Sequence, residues 1–154
     1  MTEVRRIRVD EAPIVRELIR EGIAEEAERY PEDRIGISEA GLGNLETQCR
    51  VGAVHEDELT LVAVDDGEIV GFVMAWLTRG RATPGIAGEL DWLWVRPAFR
   101  NGAVERQLAE RAVEWLRDRG ARAIFKHEDA ARPPLEPWQS LGFVADVVRL
   151  SLYS

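Results

Sequence analysis

The chain is poor in the side chains that usually announce metal, redox or covalent chemistry. Its 154 residues hold one cysteine, Cys49, and two histidines, His55 and His127. A lone cysteine excludes an intrachain disulfide, and no His/Cys cluster has metal-ligand spacing, so no metal is expected. No Ser–His or Cys–His constellation points to a covalent nucleophile. No apolar run approaches the roughly 20 residues a membrane helix needs, so no membrane partner is expected. The N-terminal Met-Thr-Glu-Val-Arg-Arg lacks the apolar core of a signal peptide. A cytoplasmic protein is the default expectation. A basic excess is also missing: 20 basic against 28 acidic side chains leave a net charge of −8. That argues against a nucleic-acid partner, though not against a local basic pocket for a small anion. Repeats, low-complexity tracts and Pro/Ser-rich linkers are absent, so residues 1–154 are read as a single domain.

What is present is a succession of strands and helices. Val4 to Val9 alternates apolar residues with arginines, the pattern of a half-buried strand. Asp10 is placed to cap a following helix, with Pro13 in its first turn. Ile14, Leu18, Ile19 and Ile23 give that helix an apolar face, and it runs to about Tyr30 before Pro31. Residues 38–50 permit a second helix, which Gly41 and Gly43 weaken. Leu59 to Val64 and Glu68 to Leu77 are β-rich runs around Asp65-Asp66-Gly67, a hairpin signal. Thr78 to Gly88 reads as a loop and Glu89 to Val95 as another strand. Ala103 to Arg119 is an amphipathic helix, with Val104, Leu108, Ala112, Trp115 and Leu116 along one side and Gly120 as its stop. Ala121 to Lys126 reads as a strand, Pro134 to Leu141 as a short helix, and Phe143 to Tyr153 as a last β segment. Short turns between consecutive strands imply antiparallel pairing, whereas the unit from Leu90 to Lys126 implies a right-handed parallel crossover. The expected fold class is α/β (α+β): a mixed, mostly antiparallel sheet with helices on both faces.

The segment from Leu90 to Leu116 carries the most chemistry. A strand ends, a Pro/Arg loop turns, and a long helix begins. Free N–H groups at a helix start, with the positive end of its dipole, can cradle a phosphate. Gly102 would let an anion approach closely, and Arg96, Arg100 and Arg106 could add charge. Solvated arginines on an ordinary crossover explain the same residues.

The run Val95-Arg96-Pro97-Ala98-Phe99-Arg100-Asn101-Gly102-Ala103-Val104-Glu105-Arg106-Gln107-Leu108 resembles the acyl-CoA-binding motif of the GNAT (Gcn5-related) N-acetyltransferases, V-x-P-x-x-R-G-x-G-I-G-x-x-L. Val95, Pro97, Arg100 and Leu108 match, and Val104 is a conservative match. Trp138-Gln139-Ser140-Leu141-Gly142-Phe143 is similar to that family's Y-x-x-x-G-F. The resemblance spans the chain in element order, so the fold it implies is GNAT-like. It implies acetyl-CoA as co-substrate, bound between splayed fourth and fifth strands by Leu93, Val95, Arg100, Asn101, Gly102, Ala103, Val104 and Glu105. It implies direct attack of a small-molecule or peptide amine on the thioester, which needs positioning and proton handling but no nucleophilic residue. Asp91 and Glu89, expected on one side of the fourth strand together with Leu93, are the candidate catalytic bases. For each residue taken alone, a strand-end carboxylate that makes a salt bridge or faces solvent is the simpler reading. Tyr30 and Glu32 are candidate acceptor-binding residues, with packing as the alternative for Tyr30. Trp76, Trp92 and Trp94 read first as core or interface, second as an acceptor pocket; a homodimer is the accompanying expectation.

The chain departs from the family pattern at named positions. Asn101, Ala103 and Glu105 stand where the family has glycines. Trp138 stands at the family's tyrosine, and indole does not titrate as an acid. Ala131 is near the place of a family asparagine. These departures support a second reading, a catalytically silent GNAT-like module that binds a ligand or partner.

Overall fold

The computed structural model describes residues 1–31, 36–79, 85–127 and 137–145. Within them the order is β1 (Thr2–Arg6), α1 (Ala12–Arg29), α2 (Glu39–Val54), β2 (Glu58–Asp65), β3 (Glu68–Thr78), β4 (Ala87–Val95), α3 (Ala103–Asp118) and β5 (Ala123–Lys126). The five strands form one sheet in sequence order. β1–β2, β2–β3 and β3–β4 pair antiparallel, and β4–β5 pair parallel across the α3 crossover. The mixed, mostly antiparallel sheet expected from the sequence is what forms.

The hairpin between β2 and β3 turns at Asp66 (φ 47°) and Gly67 (φ 79°). Two successive positive φ values twist the turn to match the strands it joins. Alternation then sorts the strand residues onto two faces. Leu59, Leu61, Ala63, Val70, Val73, Ala75 and Leu90 meet Val104, Leu108, Ala112 and Leu116 of α3. Val62, Ile69, Phe72 and Met74 meet Val15, Leu18 and Ile19 of α1 and Leu42 and Cys49 of α2. Helices therefore cover both faces, each with its own core.

Several boundaries shift from the sequence expectation. β1 stops at Arg6, because Val9–Glu11 wind into a 3₁₀ turn before α1. Glu11 anchors that turn: it accepts two bonds from Arg5 at 2.7 and 2.9 Å and one from the Arg8 N–H at 2.9 Å. The α1 face differs too: Val15, Leu18, Ile19 and Gly22 are buried, whereas Ile14 is 45% exposed. α2 forms despite Gly41 and Gly43. Ser38 Oγ accepts the Gly41 N–H at 3.0 Å, and Gly52 lies so close to β2 that a Cβ there would sit 2.3 Å from Thr60 Oγ1. Packing outweighs the propensity cost. The expected helix at 134–141 is, in its described part, a set of turns from Pro137 to Gly142. Gly142 (φ 91°) closes them, as a glycine does after a helical turn. Residues 143–145 are not in a strand, and the rest of the expected last β segment lies outside the described residues.

Candidate active site

The site begins where two paired strands part. β4 and β5 are in register from Ala87↔Ala123 to Leu90↔Lys126 and no further. Among the described residues, β4 continues to Val95 against β3 alone. The Arg96 N–H donates to Val70 O of β3 at 2.8 Å. Since successive residues of a strand direct their N–H and C=O to opposite edges, those of Val95 and Leu93 face the edge that β5 has left. The Val95 carbonyl accepts from Arg100 Nε at 2.7 Å.

A β-bulge interrupts β4 at this fork. Phe72 pairs with Trp94 and Met74 with Asp91, so one residue of β3 faces two of β4. Trp92 takes φ 57°, a conformation unfavourable for a bulky side chain. Asp91 holds it there: its Oδ1 accepts the Trp92 N–H at 2.9 Å. The bulge corrects one sequence expectation. Glu89 and Asp91 do share a face, as the cross-strand partners of Trp76 and Met74 on the α1/α2 side. Leu93 does not join them, because the extra residue reverses the alternation and sends Leu93 to the α3 side. Asp91 is 48% exposed, with Lys126 Nζ 3.9 Å from its Oδ1. Glu89 is half-buried, and its side chain has no hydrogen bond or ion pair among the described residues.

Beyond the fork, Pro97–Phe99 make a 3₁₀ turn and Gly102, at φ 80°, starts α3. The helix-start donors are already engaged from within. Asn101 Oδ1 accepts the N–H groups of Ala103 and Val104 at 3.0 and 3.3 Å. Glu105 Oε2 accepts the Gly102 N–H at 3.0 Å. Side-chain oxygens thus occupy three donors that a phosphate would use. An open cleft of about 610 Å³ adjoins them, lined by Gly102, Ala103, Glu105, Arg106 and Pro137.

The three arginines separate. Arg96 pairs with Glu21 of α1 at 3.1 Å and with Glu68 of β3; the Glu21 bond, then the Glu68 charge, push its already high pKa further up. Arg100 joins Val95 to Glu25 of α1, at 2.7 Å, and lies 5.5 Å from the Trp94 ring centroid. Both tie the loop to α1. Arg106 stays at the cleft, with Glu110 of its own helix 3.9 Å away.

On the α1/α2 face, Trp76, Trp92 and Trp94 are half-buried against the core. Gly22 makes room for Trp94: a Cβ there would lie 3.2 Å from its Cδ1. Packing is therefore their main role. Tyr30 caps α1 through its N–H to Glu26 O at 2.9 Å; Glu32 and Ala131 lie outside the described residues. Trp138 is 2% exposed in the α3-side core, edge-on to Phe143 at 5.5 Å. Cys49 is buried in the other core, and burial pushes its thiol up to about 12. Two features escape a reading of the sequence. Lys126 reaches the fork only because β5 ends opposite Leu90, and Glu25 meets Arg100 only through the tertiary fold. The Asn101 contacts, by contrast, have a local signal that went unread, an Asn just ahead of a helix start.

Among the described residues, no group of three or more His, Cys, Asp and Glu could hold a metal ion, and no helix is long and apolar enough to cross a membrane. The profile of the acetyltransferase (GNAT) family matches residues 15–143. No curated protein matches the sequence significantly. Among solved structures, a predicted acetyltransferase with acetyl-CoA from Clostridium acetobutylicum superposes with a TM-score of 0.78 at 13% identity, over 99% of this chain and 96% of that one. An aminoglycoside acetyltransferase from an uncultured soil metagenomic sample gives 0.68 at 20% identity, over 100% and 99%. A transcriptional regulator from Bacillus halodurans C-125 gives 0.74 at 18%, over the full length of both. Identities this low carry the fold, not the substrate.

Proposed function

The chain belongs to the GNAT acetyltransferase family, and from that membership we propose that it moves an acetyl group from acetyl-CoA to an amine by direct attack on the thioester. The observation that carries this reading is the fork: β4 leaves β5 after Leu90, and the backbone of Leu93 and Val95 lies along an edge that no described strand pairs. An extended, amide-bearing arm fits such an edge as an added strand does. The loop and helix start from Arg100 to Glu105 would take the diphosphate, with Arg106 beside the cleft supplying charge. Asn101 and Glu105 must release their N–H partners for this, so the donors are preformed but not vacant.

Acetyl-CoA supplies the activated carbonyl and a thiol leaving group. The chain's own residues then handle the proton. Asp91, at the mouth of the fork, accepts the proton of the incoming amine, directly or through water. Glu89, one step back on the same face, adds negative charge toward a cationic acceptor; Tyr30 and Glu32 complete the acceptor side. The acceptor is a small-molecule or peptide amine.

A thiol-release assay with acetyl-CoA and a panel of primary amines tests the reading. The buried Cys49 thiol, held up to about 12, adds little background. Asp91→Asn is expected to lower kcat by about 100-fold or more, the usual worth of a general base, and Glu89→Gln chiefly to raise KM for cationic amines. Wild-type protein that transfers to no amine of the panel would instead support the silent module, the second reading, which the internally engaged helix-start donors motivate.

A further inference from the structure

Direct attack on a thioester expels a thiolate, and a thiolate formed between two strands needs a cation or proton donor beside it. Three side chains meet at the described part of the fork. Asp91 is an anion. Trp138 donates only a non-titrating indole N–H, and that N–H is buried without a partner among the described residues. Lys126 is the cation. Its side chain is 10% exposed, and its Nζ lies 3.9 Å from Asp91 Oδ1, 3.0 Å from the His127 carbonyl and 6.0 Å from the Trp138 ring centroid. It is the last residue of β5, opposite the last paired residue of β4, so the backbone itself sets the ammonium at the point of parting.

We propose that Lys126 is a catalytic residue that stabilises and protonates the departing coenzyme A thiolate. This rests on the acetyl-CoA reading above. The amine nitrogen forms a bond to the acetyl carbon while its proton passes to the Asp91 carboxylate. The carbon–sulfur bond breaks, its electron pair goes to sulfur, and a Lys126 ammonium proton follows it. Asp91 and Lys126 are then both neutral. Proton transfer from the carboxylic acid to the amine, directly or through one water, restores the ion pair. The sum is amine plus thioester to amide plus thiol, with no outside acid or base.

The test reads the bound thiol and needs no acceptor. Coenzyme A is titrated on the wild type, Lys126→Met and Lys126→Arg while thiolate formation is followed by ultraviolet absorbance, with thermal shifts confirming folding and binding. A nearby cation favours the thiolate. Relative to the wild type, the Met variant is expected to raise the bound thiol's pKa by about one unit or more, tenfold in the thiolate equilibrium. The Arg variant, which keeps the cation, is expected to retain the wild-type value. Should Lys126→Met not fold, Lys126→Gln takes its place. If the thiol titrates alike in the wild type and the neutral variant while both bind coenzyme A, Lys126 is not beside the sulfur; the acetyl-CoA reading survives. If the wild type does not bind coenzyme A at all, that reading fails and this role falls with it.

Discussion

Removing the Glu105 carboxylate is expected to tighten coenzyme binding, against the usual rule that a helix-capping residue is worth keeping. Glu105 Oε2 sits 3.0 Å from the Gly102 nitrogen. An anion sharing that donor would lie about 4 Å from the carboxylate, where two unit charges repel by about 1 kcal/mol in water and about 4 at an effective dielectric of 20. The cleft is open, which favours the lower end, about 1–2 kcal/mol or 5- to 30-fold in affinity. Displacing the cap itself costs about 0.5–1.5 kcal/mol more. Glu105→Gln relieves only the charge and is expected to bind coenzyme A about 5- to 30-fold more tightly. Glu105→Ala relieves both and gains about a further 2- to 13-fold, while losing about 0.5–1 kcal/mol of folding stability with the cap. Isothermal titration at fixed ionic strength measures both; added salt should shrink the Gln effect, because exposed charges are screened. Unchanged or weaker binding in both variants would show that Glu105 swings clear or that the diphosphate lies elsewhere.

Other perturbations test the frame around the site. Glu11→Gln leaves Arg5 and the Arg8 N–H with a weaker acceptor and should cost about 1–2 kcal/mol in urea unfolding. The Arg5 bonds hold the Glu11 carboxyl below its ordinary range, with the Arg8 N–H assisting against burial. The gap between wild type and variant should therefore be full above the ordinary carboxylate value of about 4.3. It should close as pH falls through the lowered value, where the wild-type carboxyl is also neutral; a gap independent of pH would contradict this. Gly52→Ala forces a Cβ to within 2.3 Å of Thr60 Oγ1 and 2.8 Å of Thr60 N. Overpacking against backbone should cost about 1–3 kcal/mol, a Tm drop of about 2–12 °C, and an unchanged Tm would mean that α2 is free to lift from β2.

The parts of the fold that repeat were legible in the sequence. The Asp66-Gly67 hairpin, the apolar stripe of α3 and its Gly120 stop all rest on local periodicity and turn chemistry, and all appear. What local pattern missed depends on contacts far apart in the chain. Gly41 and Gly43 argued against α2, but the Ser38 cap and the close seat on Thr60 hold it. Strict alternation placed Leu93 beside Asp91, and a bulge stabilised by the Asp91 side chain placed it opposite. The tie of Arg100 to Glu25, 75 residues earlier, cannot be inferred from spacing. The loop motif pointed to the place proposed for the site, whereas Lys126 comes into view only through the register of β4 on β5.

Amide hydrogen exchange with and without acetyl-CoA tests the location of the site most directly, residue by residue. Coenzyme bound in the fork predicts added protection at residues 91–95 and at the α3 start, 101–106, with little change along β1 and β2. Protection confined to other elements, or none at millimolar acetyl-CoA, would contradict the assignment of this fork as the coenzyme site.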